Sequence, residues 1–294
     1  MDCITVTAPA KINLYLDVTG RREDGYHDIL SVMQTVSLCD NIALSLKSGG
    51  GICLDCGNSV LRCDESNLAY RAADLMLSKT GACVGVDITL DKHIPLEAGL
   101  GGGSSDAAGV LRGLNALLGH PLGLEELCRL GAELGADVPF CVMGGCACAT
   151  GIGERLERLP DMPGCFIVIC CPEERISTPW AYGELDRIHG MFGFYAADTQ
   201  RADSMKRGMR ISLIENIIHN MYNIFENVIG DRKDILAVKS IMCEQGALRA
   251  MLSGSGPSVF GIFNNERQAQ ACADMLAASC NTVHLCIPCG VNNI

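Results

Sequence analysis

The segment from Pro95 to Ala108 constrains this chain most, because it joins a run of closely spaced glycines directly to the start of a helix. Gly99 and Gly101 to Gly103 permit backbone conformations with φ > 0 and let a ligand approach the main chain without meeting a Cβ. Ser104 and Ser105 are good N-cap residues, and Asp106 suits a first turn. From there Ala107, Val110, Leu111, Leu114, Leu117 and Leu118 recur at the spacing of one α-helical face. Glycine loop and helix N-terminus therefore coincide, and free N–H groups converge with the positive end of the helix dipole on one anion. That is the build of a phosphate cradle; the plainer reading is a glycine-rich turn capping an ordinary helix.

Two better-known glycine motifs fail. A Walker A loop needs Gly-Lys-Ser/Thr, and no lysine follows Gly103. The dinucleotide fingerprint G-x-G-x-x-G begins at Gly99 and Gly101, but position 104 is serine. Composition then limits what the cradle serves. The 294 residues suffice for two modest domains or one large one, and 48% apolar with 19% charged residues is globular. A net charge of −11 disfavours nucleic acid and anionic membrane as partners, so a phosphate must be held by local geometry. The longest apolar run, around Cys165 to Cys171, is too short to span a bilayer. Asp2 leads straight into an alternating Ile4 to Thr7, without the basic and apolar regions of a leader, so the expected location is cytoplasmic. Many of the 18 cysteines, Cys141, Cys146, Cys148, Cys165, Cys170 and Cys171 among them, lie in apolar strand-like segments and read as small buried hydrophobes in a reducing compartment. Cys53 with Cys56, and Cys286 with Cys289, form C-x-x-C pairs that could together hold zinc, but their wide separation favours unlinked thiols.

Periodicity predicts an α+β chain. Strands are expected over 3–18 and 27–48 with a turn at Asp40 and Asn41, a helix over 67–77 capped by Ser66, and a strand over 84–90 entering the glycine loop. A helix over 124–134 and a strand-like stretch over 140–150 follow. Pro160 to Pro163 is the best boundary, giving domains 1–160 and 161–294. Beyond it come a buried strand over 165–171, an irregular stretch over 184–208, and helices over 211–229 and 235–244. A strand, glycine turn and strand over 247–263, a helix over 266–279 and a strand over 282–287 complete the pattern. The alternation is that of a split β-α-β sandwich.

Three segments now combine in order: Pro9 to Leu14 containing Lys11 and Asn13, Pro95 to Ala108, and Leu252 to Gly261. In this order and at these separations the chain resembles the GHMP kinase superfamily. Asp24 to His27 and Gly135 to Pro139 are similar to the branch that phosphorylates a cytidine diphosphate-linked methylerythritol on the non-mevalonate isoprenoid route. The resemblance runs from about residue 7 to residue 263 and implies a two-domain α+β kinase. Its active-site cleft would lie between an N-terminal nucleotide-binding domain and a C-terminal split β-α-β-like domain.

It also implies roles, residue by residue. Phosphoryl transfer needs positioned phosphates, a neutralising metal, an oriented nucleophile and help with its proton. Pro95, Leu96, Glu97, Ala98, Gly99, Leu100, Gly101, Gly102, Gly103, Ser104 and Ser105 would hold ATP, with Ser105 near Mg²⁺. Asp137 would be the general base on the substrate hydroxyl, and Lys11 its charge partner. Taken singly, Lys11 reads as a solvated lysine and Asp137 as a turn residue; the combined motifs favour the catalytic roles. Asn13 would hold the erythritol end, Tyr26 and His27 the cytidine diphosphate part, and Tyr182 would stack on the base. Tyr26 and His27 taken alone would close a β-turn after Asp24 and Gly25.

The Ser253 to Gly256 turn is expected to support the substrate side, whereas Asn223 and Glu226 read as helix packing. One residue departs from the family's loop. Glu97 stands where a small residue is usual, and a carboxylate facing phosphates costs Coulomb energy, so it is expected to point outward. The partner expected is a small molecule, with the chain a monomer or homodimer. Another small-alcohol kinase of the superfamily, of the homoserine or mevalonate type, and a nonenzymatic metabolite sensor with the same fold are the rival readings.

Overall fold

The structure, a computed structural model, describes residues 2–57, 60–192 and 197–290. Two long strands, β1 (Cys3–Arg21) and β2 (His27–Lys47), pair antiparallel. The ladder is interrupted between Pro9 and Lys11 and between Asn13 and Tyr15. Such bulges re-aim side chains, and here they flank Lys11 and Asn13. The turn expected at Asp40 does not form. Asp40 is fully buried within β2, one oxygen accepting the N–H groups of His93 (2.6 Å) and Ile94 (2.8 Å), so the strand runs on. Strand β3 (Ile52–Asp55) follows, then helix α1 (Leu68–Thr80), β4 (Gly85–Asp91) and α2 (Gly102–Leu117). Asn67 rather than Ser66 caps α1, accepting the Ala69 N–H at 2.9 Å, while Ser66 is taken up by Asp64. Gly101 caps α2, which puts Ser104 and Ser105 in its first turn instead of at the cap.

Helices α3 (Leu124–Leu134) and α4 (Val138–Met143) precede β5 (Cys146–Thr150) and β6 (Arg155–Leu159). The strand expected over 140–150 is thus half helix. Pro139 suits a helical first turn, and Gly144 and Gly145, both at positive φ, end α4 before β5 starts. The first sheet is ordered β3-β4-β2-β1, with β5 beside the first half of β2 and β6 outside it. Helix α2 lies close on this sheet. A Cβ on Gly109 would sit 2.5 Å from Ile42, and one on Gly113 2.3 Å from Leu44, so glycine sets the approach. Ile42, Leu44, Ile88, Leu111 and Leu114 fill the interface, each worth about 1.5–3 kcal/mol buried.

The second sheet holds β7 (Phe166–Cys170) beside a later hairpin. Between them run α5 (Thr178–Phe192), α6 (Thr199–Arg210), α7 (Ile214–Asn220), the short β8 (Tyr222–Asn223) and α8 (Lys233–Glu244). Then come β9 (Arg249–Leu252), β10 (Val259–Phe263), α9 (Glu266–Ala277) and β11 (Val283–Cys286). The order β11-β7-β10-β9, antiparallel throughout, is a split β-α-β sheet. The described part of 184–208, expected to be irregular, is largely helical. Asp198 caps α6 by accepting the Arg201 N–H at 3.0 Å, and Ala202, Met205 and Met209 are buried in one core cluster with Ile12 and Cys148. The single helix expected over 211–229 is instead broken at β8, which pairs parallel with β1 through Tyr15–Tyr222 and Leu16–Asn223. A strand from the second half of the chain therefore belongs to the first sheet. Among the described residues, no helix is long and apolar enough to cross a membrane.

Candidate active site

The bulged part of β1 delivers a lysine that is almost wholly buried, its side chain 5% exposed. Lys11 Nζ donates to Asn13 Oδ1 at 2.7 Å and lies 3.6 Å from Asp137 Oδ2. Asn13 is fixed in turn, its Nδ2 donating to Ser31 Oγ (2.9 Å), which donates to the Tyr15 carbonyl (2.8 Å). Asp137 stands at the N-terminus of α4 without capping it, so its carboxylate is left for the cavity, where it is one-third exposed. A buried ammonium needs such partners, since an unpaired one would be strongly penalised.

Two cavities meet here. One, of about 660 Å³, is lined by Lys11, Asn13, Asp137, Tyr26, His27 and Tyr182. The other, of about 600 Å³, is lined by Lys92, Pro95 to Gly99, Gly101 to Ser104 and Asp106. Gly99, Gly101 and Ser104 border both, so the glycine loop is the wall between them. The first intrahelical bond of α2 is donated by Ser105 to the Gly101 carbonyl, which leaves the N–H groups of Gly102, Gly103 and Ser104 ahead of it for an anion.

Not every loop residue reaches a cavity. Leu100 is buried in the core, and its carbonyl accepts the Lys11 N–H at 2.9 Å, fastening the loop to β1. Ser105, expected near Mg²⁺, is fully buried, its hydroxyl donates to the Pro9 carbonyl at 2.7 Å, and it lines neither cavity. Ser104 is the loop serine that borders both cavities. Glu97 adopts a φ of +54°, and its carboxylate is 77% exposed at the rim of the second cavity, 3.4 Å from Arg175 Nη1. It is turned to solvent and partly neutralised.

The second glycine turn is stitched to the first. Ser253 Oγ donates to the Gly99 carbonyl at 3.0 Å, and the Ser258 N–H donates to that of Ala98 at 3.3 Å. Asn223 Nδ2 donates to the carbonyls of Leu252 (2.9 Å) and Gly254 (2.8 Å). Glu226 Oε1 accepts the Leu252 N–H at 3.1 Å and Lys239 Nζ at 2.6 Å. Asn223 and Glu226, read from sequence as helix packing, thus brace the turn that closes on the glycine loop. Two polar residues in an otherwise apolar run were the available signal.

At the far end of the first cavity, His27 Nε2 lies 2.8 Å from Asp186 Oδ1. The imidazole stacks on Tyr182, centroids 4.7 Å apart at 29°, and Tyr182 meets Phe225 edge-on at 4.9 Å. Tyr182, expected to stand ready for a base, is therefore already in a ring stack. Burial, with the charge of Asp137 adding to it, pushes its phenol up to about 12, so it stays protonated. Tyr26 is 60% exposed at the mouth, in a turn where its N–H donates to Asp24 Oδ1 at 3.0 Å. Asp186, which also meets Arg21 at 3.3 Å, was missed from sequence. It follows Tyr182 by one helical turn, within a segment whose helical pattern is weak.

Comparison with known proteins agrees with this architecture. Residues 67–145 match the GHMP kinases N terminal domain, and residues 200–282 the GHMP kinases C terminal domain. The 4-diphosphocytidyl-2-C-methyl-D-erythritol kinase of Exiguobacterium sibiricum is 41% identical over 99% of both chains. That of Lachnospira eligens is 42% identical over 94% of each. A crystal structure of 4-(cytidine 5'-diphospho)-2C-methyl-D-erythritol kinase superposes with a TM-score of 0.81 at 33% identity, covering 98% of this chain and all of that one. Homoserine kinase from Cytophaga hutchinsonii shares the fold, with a TM-score of 0.76 at 21% identity over 99% of this chain and 95% of that one. With two sheets, a helix-capping glycine loop, both GHMP kinase domain matches and relatives about 40% identical along nearly its whole length, this chain belongs to the GHMP kinase family.

Proposed function

We propose that the chain transfers the γ-phosphoryl group of ATP to the 2-hydroxyl of 4-diphosphocytidyl-2-C-methyl-D-erythritol. The observation that carries this reading is the Lys11–Asp137 pair in the first cavity, beside the glycine-loop residues Gly99, Gly101 and Ser104 that border both cavities. The nucleotide occupies the second cavity, with its β- and γ-phosphates on the N–H groups at the head of α2. The acceptor occupies the first, its cytosine end toward Tyr26, His27 and Tyr182 and its erythritol end toward Asn13. Asp137 accepts the hydroxyl proton as the new O–P bond forms and the bond to ADP breaks. The Lys11 ammonium, 3.6 Å from Asp137, offsets the charge growing on the attacking oxygen. Asn13 holds that ammonium in place.

The donor set fits Mg²⁺ carried with the nucleotide. Among the described residues no group of three or more His, Cys, Asp or Glu could hold a metal alone, and Mg²⁺ commonly takes its ligands from substrate phosphates and few protein oxygens, here Ser104. Bound there, it supplies positive charge against the transferring group.

The test is ADP formation across a panel of alcohols. Turnover is expected with the cytidine-linked methylerythritol and at most traces with homoserine or mevalonate. A preference for either of those would overturn the substrate assignment, and nucleotide binding without turnover on any alcohol would favour a sensor.

A further inference from the structure

The glycine loop contains no lysine, yet the fold brings one to it. Lys92 lies just past the end of β4 with its side chain 8% exposed. Its ammonium pairs with Asp40 on β2 and lies 2.6 Å from Asp106 Oδ2, just past the first turn of α2. A Cβ placed on Gly102 would sit 3.6 Å from Lys92 Nζ, so the charge stands against the backbone of the phosphate cradle. Lys92 and Asp106 also line the second cavity together with Gly102, Gly103 and Ser104. An ammonium carries three donors, and the two carboxylates account for two of them.

We propose that Lys92 is a further phosphate-positioning residue of this kinase. Its ammonium comes from the end of β4 to the nucleotide's β- and γ-phosphates, taking the place of a lysine within the loop. The proposal rests on reading the second cavity as the nucleotide side. The two carboxylates hold the flexible side chain in one place, which reduces the entropy lost when a phosphate is bound. They also weaken its charge, and this is offset in part because burial pushes Asp106 up, so that it carries a proton more readily than an ordinary carboxyl.

The full chain is titrated calorimetrically with MgADP and, separately, with adenosine, as wild type, Lys92→Met and Lys92→Arg. Loss of one charged phosphate contact corresponds to roughly a tenfold or greater weakening. Lys92→Met should weaken MgADP by that much and leave adenosine within about twofold, while Lys92→Arg keeps most of the MgADP affinity. Unchanged MgADP binding in Lys92→Met, or equal losses for MgADP and adenosine, would overturn the proposal, the latter because the lysine would then only shape the cavity. If Lys92→Met does not fold, the double variant Lys92→Met/Asp106→Asn is compared with Asp106→Asn by the same two ligands and the same criteria. Wild type that fails to bind MgADP would remove the nucleotide reading itself, a result distinct from binding that is indifferent to Lys92.

Discussion

Gly99 sits at φ +74°, and a Cβ there would lie 2.2 Å from the Ser253 carbonyl oxygen. A methyl group must therefore push the two glycine turns apart. Gly99→Ala is expected to cost about 1–3 kcal/mol and to raise KM for both substrates, checked by thermal unfolding and initial rates. A variant with wild-type stability and KM would show that the turns do not need to touch. Asp137 makes no cap bond, so removing its charge leaves α4 intact. Asp137→Asn should lower kcat on the order of 10²- to 10⁴-fold while the melting temperature stays close to wild type; near-normal turnover would discard the general-base role. Lys11, Asn13 and Asp137 were legible at this scale because a short motif fixed each of them. Asp186 and Lys92 were not, because each acquires its meaning only from a partner more than ten residues away: His27 for one, Asp40 and Asp106 for the other.

At the scale of elements, α2 is anchored by a buried charge cluster as well as by its apolar face. Burial, reinforced by the nearby Asp40 charge and opposed by Lys92, pushes Asp106 up to about 7. A carboxyl raised in the folded state binds its proton more tightly there than in the unfolded chain. Its contribution is therefore fully present below the ordinary value near 3.8 and is lost as pH rises through about 7. Asp106→Asn should remove that dependence, so the stability of wild type relative to the variant should fall between about pH 4 and 7 in denaturant titrations. A difference that is flat or grows with pH would contradict the assignment. The connection from β8 into the following turn works through Asn223, which satisfies two carbonyls of the second glycine turn. Asn223→Ala should cost about 1–3 kcal/mol and raise KM more than it lowers kcat, since it loosens a supporting turn without touching the reacting atoms. Sequence periodicity located most elements, but it failed at Asp40, at α4 and at α6. In each case a long-range partner overrode local preference: Lys92 for Asp40, and the neighbouring core for the helices.

Across the whole molecule, we propose a division into residues 1–160 and 161–294, between the end of β6 and the start of β7. Yet the two halves are interlocked. Strand β8 joins the first sheet, Val36 bridges to Pro288, and the carbonyl of Cys289 accepts from Gln34 (2.9 Å) and Thr35 (2.8 Å). Unfolding is therefore expected to be a single cooperative transition. Fluorescence of Trp180, the chain's one tryptophan, should report the same urea midpoint as far-UV circular dichroism; separate midpoints would mean the halves unfold independently. The sequence by itself determined the family, the glycine loop with its helix, and the motifs that hold Lys11 and Asp137, because these are local patterns in which residue type and spacing carry the signal. Tertiary structure decided that Ser104 and not Ser105 borders both cavities, that Glu97 turns out toward Arg175, and that Lys92 stands at the loop. Each of those depends on burial and on which distant group lies within hydrogen-bonding distance, quantities that exist only after β1, β2 and α2 have packed together.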